Sequence, residues 1–102
     1  MGFFDSLFGA TPGVITGARA RELVAAGATL LDVRTPGEFS GGHVSGAQNI
    51  PVETLPAGAS KVSKDKPVVV YCRSGARSAR AASALREVGF TEVYDLGGIG
   101  NW

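Results

Sequence analysis

The stretch Val68–Ala82, VVVYCRSGARSARAA, decides how the chain is read. A β-branched run ends on Cys72, the single cysteine, and Gly75 follows. PVVVYC is apolar on both faces, as a central parallel strand requires. From Ser78 to Val88 the spacing predicts an Ala-rich helix. Ala81, Ala82, Leu85 and Val88 fall on its inner face, and Gly89 ends it. Three arginines, Arg73, Arg77 and Arg80, crowd the start of that helix. A helix N-terminus carries partial positive charge and favours acids, so cations there are a local cost unless an anion resides nearby.

Other stretches alternate in the same way. Val14–Ile15 is a short strand candidate. Thr16 is placed to cap a helix over 17–26, with Leu23 and Val24 inward and Gly27 as its stop. ATLLDVR reads as a buried strand. TPGE, Thr35 to Glu38, combines a capping threonine, a proline at the first helical position and a glutamate three after the cap. A short helix through Phe39 should follow, broken at Gly41–Gly42. HVSGAQNIP reads as loop with a short strand at 47–49, and 52–63 fits neither pattern well. TEVYDL is a last strand. Strands alternating with helices predict an α/β fold: a small, mostly parallel central sheet flanked by helices.

The totals bound the function. A chain of 102 residues suits one compact domain, here 13–102, preceded by a Phe-rich extension over 1–12. The formal net charge of +1 gives no global electrostatic case for nucleic acid. One cysteine rules out an internal disulfide and a cysteine-based zinc cluster, and fits a cytoplasmic protein. No segment is apolar for long enough to span a bilayer. MGFFDSLFG lacks a basic flank and a cleavage-like site, which argues against a secretory signal. It matches the loose pattern for N-myristoylation. Phe3, Phe4, Leu7 and Phe8 would share a helix face, placed against the domain's own core; a partner or membrane contact is the sharper reading.

A strand that runs through a glycine turn into a helix aims several backbone N–H groups into one small bowl. A cysteine at its base has its thiolate stabilised by those amides, by the helix N-terminus and by nearby arginine. This accounts for the misplaced cations: the anion is the thiolate, its modified form, or a charged substrate. The bland reading is a buried, inert thiol followed by solvated arginines. The glycine turn and the arginine cluster favour the reactive one.

These residues resemble the rhodanese family of sulfurtransferases. LLDVRTPGEFSGGHVSGAQNIP, 30–51, is similar to the family's N-terminal signature. VVVYCRSGARS, 68–78, is similar to its active-site loop, and LGGIGNW, 96–102, to its Gly-Gly…Trp ending. The resemblance implies a sulfur relay with ping-pong kinetics. Cys72 attacks the sulfane sulfur of a donor such as thiosulfate, carries it as a persulfide, and passes it to cyanide, a thiol or another protein. The loop residues Arg73, Ser74, Gly75, Ala76 and Arg77 hold the persulfide, and no metal or organic cofactor is implied. Arg73 and Arg77 favour a dianionic donor over 3-mercaptopyruvate. Phosphatases and arsenate reductases of related fold carry a loop one residue longer, Cys-x5-Arg, so the shorter loop here suits a sulfur atom better than a tetrahedral oxyanion. The third reading is a non-catalytic rhodanese-like binding module, which commonly lacks the cysteine.

Within the resemblance, Asp32 and Arg34 help fix the loops around the site, most simply as a structural ion pair. Ser78 caps the helix or bonds into the bowl. Glu38 caps its own helix. His43, the only histidine, sits in a structural turn rather than acting as a base. Asn49 bonds to backbone in a loop, and Trp102 belongs to the core. Family members often continue beyond this tryptophan, so an edge is expected there that the Phe-rich N-terminus could cover.

Overall fold

A computed structural model describes residues 13–102. The readings made for the Phe-rich segment lie outside the described residues. Four strands form one sheet: β1 (Thr29–Asp32), β2 (Gln48–Asn49), β3 (Val68–Cys72) and β4 (Val93–Gly98). Their order is β2-β1-β3-β4, and every pairing is parallel. Three α-helices accompany them, α1 (Gly17–Ala25) before β1, α2 (Pro36–Ser40) between β1 and β2, and α3 (Ala76–Glu87) between β3 and β4. The expected small parallel α/β sheet is therefore the observed one.

All five residues of β3 are buried, because helices cover both faces of this inner strand. Val68, Val70 and Cys72 point into one core with Leu31, Ala81, Ala82 and Leu85. Val69 and Tyr71 point into the other, with Ala20, Leu23, Leu30 and Leu96. The chain leaves β1 toward the β2 edge and leaves β3 toward the β4 edge. The gap between the carboxyl ends of β1 and β3 is thus a topological switch point, where open parallel sheets bind ligands. Cys72 ends β3 at that gap.

The local signals account for most boundaries. Thr16 caps α1, accepting from Arg19 N at 3.1 Å. Thr35 and Glu38 form the expected capping box on α2, with Pro36 in its first turn. Helix α3 begins at Ala76 rather than Ser78. Gly75, at φ 116°, turns the chain sharply enough for the helix to start at once. Val14 forms only an isolated bridge to Asp95, not a strand of its own. Leu23 is buried, whereas Val24 is only half-buried. The ambiguous 52–63 region holds two 3-10 turns, Val52–Thr54 and Ala57–Lys61.

Strand β4 runs two residues past Leu96. Its register shifts between Val70 and Tyr71, so that Asp95 faces Val70 and Gly97 faces Tyr71. Gly98 then pairs with Cys72. Among the described residues no helix is long and apolar enough to cross a membrane.

Candidate active site

The six-residue loop Cys72–Arg77 joins β3 to α3. Gly75 donates its backbone N–H to the Cys72 sulfur at 2.9 Å. Burial pushes the Cys72 thiol up. Hydrogen bonding from the Ser78 hydroxyl and from the amides of Ser78, Gly75 and Ser74 outweighs it, so the pKa falls below the ordinary cysteine value. In the resting geometry the Ser78 hydroxyl donates to the Gly75 carbonyl at 2.9 Å. Its one proton therefore serves either the loop backbone or the sulfur. Cys72 is a free cysteine with 0% of its surface exposed, while Arg73 and Ser74 beside it are exposed.

Two cavities flank the loop. One, about 330 Å³, is lined by Arg34, Glu38, Arg73 and Ile99, with glycines of the α2 region. The other, about 300 Å³, lies between Ser74, Gly75, Ala79, Asp95 and Asn101. Arg73 forms no ion pair among the described residues.

Arg77 is placed differently from the sequence expectation. Its guanidinium does not remain open to an incoming anion. It forms a two-pronged ion pair with Glu38, Nη1 to Oε1 at 2.7 Å and Nη2 to Oε2 at 3.0 Å. Glu38 still caps α2, accepting from Thr35 N at 3.0 Å. The Arg77 guanidinium, helped by the Thr35 amide, pulls the Glu38 carboxyl down to about 2. The helix-capping role was legible; the tie to the cysteine loop was not. The signal for it was an arginine in the first turn of α3 with no acid there to balance it.

Asp32 and Arg34 form the structural pair expected of them. Arg34 Nη2 lies 2.6 Å from Asp32 Oδ2, and Arg34 N donates to Asp32 Oδ1 at 2.9 Å. Both residues are buried. Arg34 also donates to the Gly42 carbonyl at 2.7 Å and lies over the Tyr71 ring. The Tyr71 hydroxyl accepts from Val44 N at 3.1 Å, and burial pushes its pKa up to about 12. Asn49 donates to the carbonyls of Asp32 and Arg34, both at 2.9 Å. This network fixes the end of β1 and the turn after α2, which together wall one side of the gap.

His43 is committed elsewhere. Its ring stacks on Phe39 at 3.7 Å between centroids, and Nδ1 lies 2.8 Å from the Phe39 carbonyl oxygen. Trp102 is half-buried against the second core rather than wholly within it.

The family model described as "Rhodanese-like domain" matches residues 16–102. The uncharacterized protein YqhL of Bacillus subtilis is 50% identical over 76 residues, which are 74% of this chain and 60% of that protein. The chain thus spans less than two thirds of that relative's length. The thiosulfate sulfurtransferase GlpE of Stutzerimonas stutzeri is 40% identical over 78 residues, covering 76% of this chain and 72% of that protein. The crystal structure of a rhodanese-related protein from Thermoplasma volcanium superposes with a TM-score of 0.77 at 36% identity, covering 87% of this chain and 88% of that one.

Proposed function

The chain belongs to the family of rhodanese-like domains, and from that premise we propose that it is a sulfurtransferase working through a persulfide on Cys72. One observation carries the reading: the Cys72 sulfur sits at a strand end, 2.9 Å from the Gly75 amide at the mouth of helix α3. A thiol held there has its pKa lowered by main-chain donors, which raises the fraction present as the nucleophilic thiolate.

With thiosulfate as donor, the Cys72 thiolate attacks the outer, sulfane sulfur. A new S–S bond forms and the bond to the sulfonate sulfur breaks. Sulfite departs with the electron pair, and the negative charge reappears on the outer persulfide sulfur. The loop amides from Arg73 to Arg77 receive that charge. In the second half-reaction a nucleophile takes the outer sulfur and the thiolate returns. Cyanide serves in the assay, and a small thiol or a protein thiol is the acceptor in the cell.

The Cys72 side chain is buried at rest, beside the exposed Arg73 and Ser74 of the loop. Arg73 supplies the attraction for an anionic donor. The six-residue length of the loop supports sulfur over a tetrahedral oxyanion as its guest.

The test is intact mass after incubation with thiosulfate. A gain of one sulfur, absent in Cys72→Ser, is expected, followed by its loss on adding cyanide. Hydrolysis of an aryl phosphate without that gain would mean a phosphatase. Neither result would leave a binding module.

A further inference from the structure

Arg77 stands in the first turn of α3, at the edge of the loop that surrounds Cys72, and its guanidinium is taken up by an ion pair. Both of its terminal nitrogens engage Glu38, which is 39 positions earlier in the chain. The pair is only partly shielded, each side chain being 26% exposed. Glu38 is itself held by the Thr35 amide and hydroxyl. The carboxylate is therefore fixed before it meets the guanidinium, and the pair costs less side-chain entropy than two free chains would. Glu38 also lines the cavity that Arg34 and Arg73 share beside the loop.

We propose that Glu38 is a positioning residue that sets donor specificity, by drawing the Arg77 cation out of the sulfur-binding bowl and leaving Arg73 as the cation that meets the donor. The inference rests on the sulfurtransferase reading for its substrate class, and on the ion pair for its geometry. With both arginines turned to the bowl, the site would hold a dianion tightly and release sulfite slowly. With one withdrawn, singly and doubly charged donors are treated more evenly. Cys72, and Glu53 in the neighbouring 3-10 turn, each lie near enough to favour the Arg77 cation when charged, after the larger effect of Glu38. Release of Arg77 is therefore felt at the sulfur.

The experiment is a double-mutant cycle of Glu38→Gln and Arg77→Ala, read first by titrating the Cys72 thiolate through its ultraviolet absorbance. Glutamine serves in a capping box as well as glutamate, so E38Q keeps α2. In E38Q the titration midpoint drops by about half a pH unit, the size of one added charge at this range in a partly solvated site. In the Arg77→Ala background the same substitution moves it much less. The second reading is kcat/KM for thiosulfate relative to methanethiosulfonate, a singly charged donor. That ratio rises by about threefold in E38Q and falls more steeply with salt.

An unchanged or raised midpoint in E38Q overturns the inference, since a mere brace for the loop would loosen the amides and lift the midpoint. An equal drop in both backgrounds also overturns it, because the carboxylate would then act directly and not through Arg77. An unchanged donor ratio does the same. The titration needs no sulfur transfer. If wild-type protein gains no sulfur from thiosulfate, the functional reading falls while the midpoints still decide the fate of the Arg77 cation.

Discussion

Gly98 pairs with Cys72 across the β3–β4 ladder, and a Cβ on Gly98 would stand 2.8 Å from the Arg73 carbonyl oxygen. Real Cβ atoms do not approach a backbone oxygen so closely. The strand thus passes directly under Arg73 of the cysteine loop, and only a glycine lets it. Gly98→Ala must push the Arg73 peptide away. The amides then lose their common focus on the sulfur. The expected result is a loss of about tenfold or more in turnover, with a stability cost of only about 1 kcal/mol. Sulfur transfer measured beside chemical denaturation checks it. Full activity would show that the loop tolerates the shift.

Ser78 tests how the thiolate is held. Its hydroxyl and its amide are among the groups that bring the Cys72 pKa below the ordinary cysteine value against the opposing effect of burial. A depressed folded pKa means that the thiolate's contacts stabilise the protein above the unfolded value of about 8.5. That contribution fades as pH falls through the lower, folded value. The rate of the first half-reaction should follow the same midpoint and be flat above it. Ser78→Ala shifts both the thiolate titration and the pH–rate midpoint upward, and slows transfer at neutral pH. Coincident profiles for the two proteins would remove the hydroxyl from the account.

The strand–turn–helix geometry around Cys72 was legible in the sequence because its signals are local. Cys72, Gly75 and the helix after them lie within a few residues, and a β-branched run into a glycine turn has few other structural meanings. The capping box at Thr35 and Glu38 is likewise an i, i+3 pattern. What lay out of reach was tertiary. The second duty of Glu38 depends on where α3 packs, and no local spacing encodes a partner 39 residues away. The strand read from TEVYDL stops at Leu96, yet the crowding above Gly98 makes glycine the residue that lets β4 continue. The 52–63 segment forms 3-10 turns, which carry no periodic apolar face to read.

The Glu38 carboxyl gives an acid-side prediction. Its folded value of about 2 lies below the ordinary 4.5, with the Arg77 guanidinium as the largest cause. The clamp between α2 and the cysteine loop is therefore fully present above the ordinary carboxylate value and is lost as pH falls toward 2. Thermal transitions of wild type and Glu38→Gln, followed from neutral pH downward, should converge across that window. A gap that persists at the acid end would mean that the carboxylate's charge is not what joins the two elements.

Asp32 carries the last prediction, because it holds a buried cation in place beside the site. Asp32 is 0% exposed and Arg34 7% exposed, and the guanidinium has only the Gly42 carbonyl as a further hydrogen-bond acceptor among the described residues. Asp32→Asn keeps the size of the side chain and removes its charge. Arg34 is then left charged and uncompensated in a nearly dry place, since a guanidinium is too basic to lose its proton even without the carboxylate that favoured its charge. Breaking a buried pair from one side costs about 3 kcal/mol or more. Denaturant unfolding should register that loss. The turn after α2 hangs on Arg34 through Gly42, and Asn49 ties β2 to the same peptides. Amide exchange should therefore speed up at 42–49 ahead of β3, while the thiolate titration of Cys72 stays where it was. A loss below about 1 kcal/mol would mean that water reaches Arg34, and that the pair is a surface contact in all but accessible area.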